Sequence, residues 1–86
     1  MRILRNLKEL HRTQEDWMRL IAVQDRLLVL LPQAWVEYRD RGLARAELGD
    51  NRLAVSDLAL YVEHTEDPLD RHAIEQRLRD LRRELN

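Results

Sequence analysis

The sequence predicts an all-α fold in which helical hairpins stack on one another, five helices in all, and three observations lead there. The 86 residues are 44% hydrophobic and 36% charged with only two Gly and two Pro, which suits helices dressed in ion pairs and leaves little material for a sheet protein. Apolar residues recur at spacings of three and four along the chain, the period of one helix face. A shift of about 34 residues lays the first half of the chain over the second with the breaks in register.

Ile3, Leu4, Leu7 and Leu10, with charged residues between them, predict a first helix over 2–13. No capping residue precedes it, so its first amides lack a local acceptor, as they would if the segment began inside a longer chain. Asp16 is the expected N-cap of a second helix over 17–31. Trp17, Leu20, Ile21, Val23, Leu27, Leu28, Leu30 and Leu31 cover more than one stripe of it, which predicts neighbours on two sides. Gln24 lies within that apolar surface and is expected as a partly buried amide with a backbone partner. Pro32 ends the helix and suits the first turn of the next, having no N–H to leave unpaired.

A third helix is expected over 33–48, with Trp35, Tyr38, Leu43, Ala44 and Leu48 as its apolar contacts. Gly42 inside it costs about 1 kcal/mol relative to Ala. That cost makes sense where another helix comes close. Gly49 is placed to end the helix in a left-handed conformation. Asp50 then caps a fourth helix over 51–64, with Leu53, Ala54, Leu58, Tyr61 and Val62 facing inward. Asp67, Pro68 and Asp70 supply a cap, a first-turn proline and an acid near the positive end of a fifth helix, whose inward residues are Ala73, Ile74, Leu78, Leu81 and Leu85.

The chemistry of most function classes is missing from the residues. There is no Cys, and His11, His64 and His72 show no chelating spacing. No Gly-rich phosphate loop occurs, and the single Ser, Ser56, has no His near it in sequence. Neither catalysis, a cofactor nor a metal is expected. A formal charge of −1 gathers neither nucleic acid nor anionic lipid, and the arginines 71, 77, 79, 82 and 83 are interleaved with Asp70, Glu75, Asp80 and Glu84. The last helix therefore reads as a solvated cap over the fourth. The start lacks the apolar core of a signal peptide and the run Leu27 to Leu31 is too short to cross a bilayer, so no membrane partner and a cytoplasmic setting are expected.

Under the shift, Leu4 overlays Tyr38, Asp16 Asp50, Leu20 Ala54, Leu27 Tyr61 and Leu28 Val62. Through this period, through Tyr38, Gly42, Gly49-Asp50, Ala54 and Leu58, and through Leu4, Leu7, Asp16-Trp17 and Pro32, the chain resembles the tetratricopeptide repeat family. Lys8 departs from it where a small residue is wanted, as do Arg41 and Arg45 where apolar ones are, and no Pro closes the second unit. The resemblance implies a right-handed hairpin stack, with repeat 1 at about 1–34, repeat 2 at about 35–66 and a capping helix at about 68–85. More narrowly, Leu4-Arg5-Asn6-Leu7-Lys8, Asp25-Arg26-Leu27-Leu28, Arg39-Asp40-Arg41-Gly42-Leu43 and Ala54-Val55-Ser56-Asp57-Leu58 resemble the C-terminal tail of bacterial SirB-type proteins, in which a transglutaminase-like domain precedes such repeats. No residue here matches that domain's catalytic set.

The tetratricopeptide resemblance also implies a groove lined by the first helix of each hairpin. Its candidate positions are Arg2, Arg5, Asn6, Glu9 and Arg12, then Arg39, Asp40, Leu43 and Glu47. The basic members could hold an acidic peptide, although the same set also reads as a solvated charged face. The expected function is a protein or peptide interaction module, or a brace for a domain upstream. The alternative is a homodimer formed through Ile3, Leu7 and Leu10.

Overall fold

In the computed structural model residues 14–85 are described, and they form four helices: α1 (Gln14–Leu30), α2 (Trp35–Glu47), α3 (Asn51–His64) and α4 (Pro68–Leu85). No strand occurs among them. The expected count of five helices is thus corrected to four among the described residues, and the predicted helix over 2–13 lies outside them. Helices pack chiefly on their neighbours in sequence, α1 on α2, α2 on α3 and α3 on α4. Sequential packing of this kind is what stacked hairpins produce.

The helix ends follow the local chemistry. After α2, Gly49 adopts φ +81°, its N–H donates to the Ala46 carbonyl, and the Asp50 N–H donates to the Arg45 carbonyl at 2.9 Å. This paired arrangement closes a helix that a left-handed glycine can turn. The Asp50 side chain accepts from the Leu53 N–H, starting α3. Asp67 accepts from the Leu69 and Asp70 N–H groups at 3.1 and 3.2 Å, and Pro68 opens α4 as expected.

Two boundaries differ from the sequence reading. Helix α1 begins at Gln14, so Asp16 is not its cap but stands with Glu15 in the first turn, where the positive helix end favours an acid. Nothing in Gln14 or Glu15 breaks a helix, and the start moves back accordingly. Pro32 lies in the turn between α1 and α2 rather than in the first turn of α2. The Tyr38 hydroxyl donates to the Pro32 carbonyl at 3.1 Å and ties that turn to the helix that follows.

The core is formed by Ala54, Leu58 and Tyr61 of α3 against Ile74, Leu78 and Leu81 of α4, with Trp35 and Leu43 of α2 packed beside them. Both triplets have the spacing i, i+4, i+7 of a single helical stripe. Leu53, Ala73 and Leu85 fall off these stripes or at a helix end and are exposed, contrary to expectation. Ala44 is buried as well, and Gly42 lies against α3. A Cβ on Gly42 would stand 2.8 Å from Leu58 Cγ and 3.1 Å from Asp57 Cβ, so the close crossing inferred from this glycine is present.

On α1 only Gln24 and Leu28 are buried. Leu20, Val23, Leu27, Val29 and Leu30 are exposed, so the expected cover on two sides is not provided by the described residues.

Candidate functional site

Arg39, Asp40, Leu43 and Glu47 line one cleft of about 560 Å³, where α2 meets Trp17, Leu20 and Gln24 of α1. Their spacing along α2 places them on adjoining faces of one helix, and α1 supplies the opposite wall. Arg2, Arg5, Asn6, Glu9 and Arg12, the rest of the expected groove set, lie outside the described residues.

The charge of Arg39 is already met. Its Nε donates to Asp40 and its Nη1 to Asp70 of α4, each at 3.0 Å, while the guanidinium stands over the Tyr61 ring. Burial favours the neutral guanidine, but the hydrogen bonds that Arg39 donates to Asp70 and Asp40 outweigh it and hold Arg39 more firmly protonated than usual. A peptide carboxylate arriving at Arg39 would compete with two resident carboxylates.

Asp70 is the junction of this group. The Tyr61 hydroxyl and Arg39 both donate to it, and Thr65 donates in turn to the Tyr61 oxygen. The Tyr61 hydrogen bond is the largest effect and lowers the Asp70 pKa below its ordinary 3.8; burial opposes it, and the hydrogen bond and charge of Arg39 add to the lowering. The folded-state pKa lies below the unfolded one, so the ionised carboxylate stabilises the fold above about pH 4 and that contribution is lost as pH falls through the folded value. Asp70→Asn is therefore expected to lower the melting temperature at pH 7, by a margin that narrows as the pH is taken below the ordinary carboxylate range. A gap between the two chains that stays constant as the pH falls through the acid range would remove this role.

A second charged group braces α2 against α3. Asp57 is buried, with 2% of its surface exposed, and accepts from Arg41 Nε and Nη2 and from Arg45 Nη1, all at 2.8 Å. Arg41 also donates to Asp25 of α1 at 2.7 Å, which links three helices. The hydrogen bonds to Asp57, then that to Asp25, raise the Arg41 pKa beyond its already high ordinary value. Arg41 and Arg45, which look like losses of apolar surface in the sequence, are the partners of a buried acid. Spacing along one helix gives no hint of an acid sixteen residues away, so these pairs could not be read beforehand.

Gln24 is also more constrained than expected. It is buried, lines the cleft, and its Oε1 has no hydrogen-bond partner among the described residues, where a backbone donor was expected. His64 stacks on Trp35 with ring centroids 3.7 Å apart, and its Nδ1 lies 2.9 Å from the Leu60 carbonyl oxygen. Among the described residues no group of three or more His, Asp or Glu could hold a metal ion, and no helix is long and apolar enough to cross a membrane.

A different surface gathers at the end of α1. Val29, Leu30 and Leu31 are 81%, 76% and 59% exposed, and Val36 opens α2 half exposed nearby in sequence. Leu30, Leu31, Pro32, Gln33 and Ala34 line a shallow hollow of about 400 Å³ at this corner. So many large apolar side chains in one short stretch exceed the scattered exposure normal for a monomer surface.

Comparison with known proteins agrees with this architecture. A UPF0162 protein of Xylella fastidiosa strain Temecula1 is 40% identical over 63 residues, which are 73% of this chain and 22% of that protein. A UPF0162 protein of Buchnera aphidicola subsp. Schizaphis graminum is 44% identical over 62 residues, 64% of this chain and 23% of that protein. The chain thus spans less than a quarter of the length of these relatives. No solved structure matches it. The family model of the tetratricopeptide repeat matches residues 7–79, most of the chain and both sides of the Gly42 crossing, and the chain belongs to that family.

Proposed function

We propose that this chain is a non-catalytic interaction module that braces the remainder of a longer polypeptide through the apolar corner at the end of α1. Tetratricopeptide repeats generally mediate protein–protein interaction, which supports the class of function. The observation that carries the finer reading is the exposure of Val29, Leu30 and Leu31 beside the hollow around Pro32. The relatives supply an occupant, since more than three quarters of their length lies beyond the matched segment. A SirB-type, transglutaminase-like domain preceding the repeats is the occupant that the narrower sequence resemblance implies.

Burying these aliphatic side chains would contribute roughly 1.5–3 kcal/mol each if fully covered. Leu30→Asp with Leu31→Asp, introduced into the longer polypeptide, is therefore expected to expose the junction to protease and lower its melting temperature by several degrees. The isolated 86-residue chain should melt as before, because neither side chain is buried in it. An unchanged junction would reject the brace. Self-association is the competing use of the same corner, and light scattering of the isolated chain decides it: a monomer at every concentration favours the brace, and a dimer abolished by the same two substitutions favours the pair of copies.

A further inference from the structure

The face of α4 that borders the outer side of α3 carries its charges in order. Glu75, Leu78, Arg79 and Arg82 recur at i, i+3, i+4 and i+7, so they share one stripe of the helix, with the acid at one end and both bases toward the other. Together with Ala59, Val62 and Glu63 of α3 they line a hollow of about 400 Å³. Ala59, Val62 and Leu78 are its apolar part. The four charged side chains around it are exposed, and among the described residues none of them has a hydrogen-bond or ion-pair partner. In this they differ from Arg39, Arg41 and Arg45, whose carboxylates the fold itself supplies. A ligand of one sign would be repelled by half of this rim. A surface that carries both signs in the reverse order would not.

We propose that this hollow is the contact surface of a homodimer, in which α4 of a second copy lies antiparallel on α4 about a two-fold axis passing between residues 78 and 79. A two-fold contact is made by one surface with itself, so every residue pair in it occurs twice. Positions 75 and 82 stand equally far from that axis, and antiparallel alignment sets Glu75 of each copy against Arg82 of the other. Positions 78 and 79 exchange in the same way, so the aliphatic stem of Arg79 covers the apolar part of the second copy's hollow while its guanidinium stays in water. The 18 residues of α4 give a helix about 27 Å long, and a contact two helices wide along it falls at the low end of interface sizes. The dimer therefore exchanges reversibly with monomer. None of its residues belongs to the corner at the end of α1, so it stands or falls independently of the brace.

Charge reversal tests the register in the whole 86-residue chain by sedimentation. Glu75→Arg alone and Arg82→Glu alone each bring like charges together at both ends of the contact, and each is expected to weaken dimerisation by about tenfold or more. Mixed in equal amounts, the two variants are expected to form a heterodimer of about the parent strength, because every contact between positions 75 and 82 then joins opposite charges. A parent chain that stays monomeric up to about 1 mM would overturn the proposal, as would a dimer that both reversals leave intact or a mixture that restores nothing. Should either variant misfold, the unmodified chain decides by its salt dependence: the dimer is expected to weaken as salt is raised, and one indifferent to salt would overturn the pairing. Leu30→Asp with Leu31→Asp is expected to leave this dimer unchanged, and its loss in that variant would place the contact at the corner of α1 instead.

Discussion

Replacing Gly42 by leucine is expected to lower the stability of the fold by about 2 kcal/mol or more, measured by thermal or denaturant unfolding. The glycine costs its helix about 1 kcal/mol relative to alanine, and a substitution on an open helix face would recover that amount. Here the recovery is outweighed. The first added carbon meets Leu58 at its branch point, 2.8 Å away, and Leu58 is among the most fully buried side chains, so it has no free space to yield. The second obstacle is Asp57 Cβ at 3.1 Å, whose displacement would disturb the carboxylate that holds Arg41 and Arg45. Gly42→Ala should accordingly be destabilising too, though by less than leucine. An unfolding midpoint unchanged in both variants would mean that α2 and α3 do not cross at this residue.

The second large effect is expected at Asp57. Asp57→Ala leaves the Arg41 and Arg45 guanidiniums, each with less than a fifth of its side chain exposed, without the acid that both address. Removing one side of a buried ion pair costs about 3–5 kcal/mol, chiefly because the remaining charge stays desolvated. Arg41 keeps Asp25 at 2.7 Å, whose side chain is half exposed, which should hold the loss toward the lower end of that range. The network is not irreplaceable for stability: replacing all three residues by apolar ones of similar volume is expected to restore much of what the single change removes. A triple variant no more stable than Asp57→Ala would show that the ions themselves specify the crossing.

How far the sequence reaches depends on whether a property is local. Gly49, Asp50, Asp67 and Pro68 can be read because a cap or a turn is made by residues within one helical turn of each other. Gly42 can be read because a helix tolerates a glycine poorly without a reason. The stripes Ala54–Leu58–Tyr61 and Ile74–Leu78–Leu81 follow from period alone, whereas Leu53 and Ala73 sit next to those stripes and period does not say which side of a boundary they take. Arg39 reads in sequence as a free cation in a groove. Its pairing with Asp70 joins residues 31 apart, and only the stacking of α4 beside α2 brings them together. The cleft-lining residues Arg39, Asp40, Leu43 and Glu47 are legible from the repeat, but the opposing wall of Trp17, Leu20 and Gln24 is not, since their period places them in the interior of the hairpin.

The proposed brace rests on the apolar corner at the end of α1, where Val29, Leu30 and Leu31 are exposed. Methyl-resolved NMR of these residues and of Val36, recorded in the isolated chain and again within the longer polypeptide, addresses it most directly. If the corner is a brace, these methyl signals shift and gain contacts to protons of the other domain, while those of Leu58 and Leu78 in the core stay in place. Signals at the corner that coincide in the two samples, with changes confined to another face of the stack, would refute the brace.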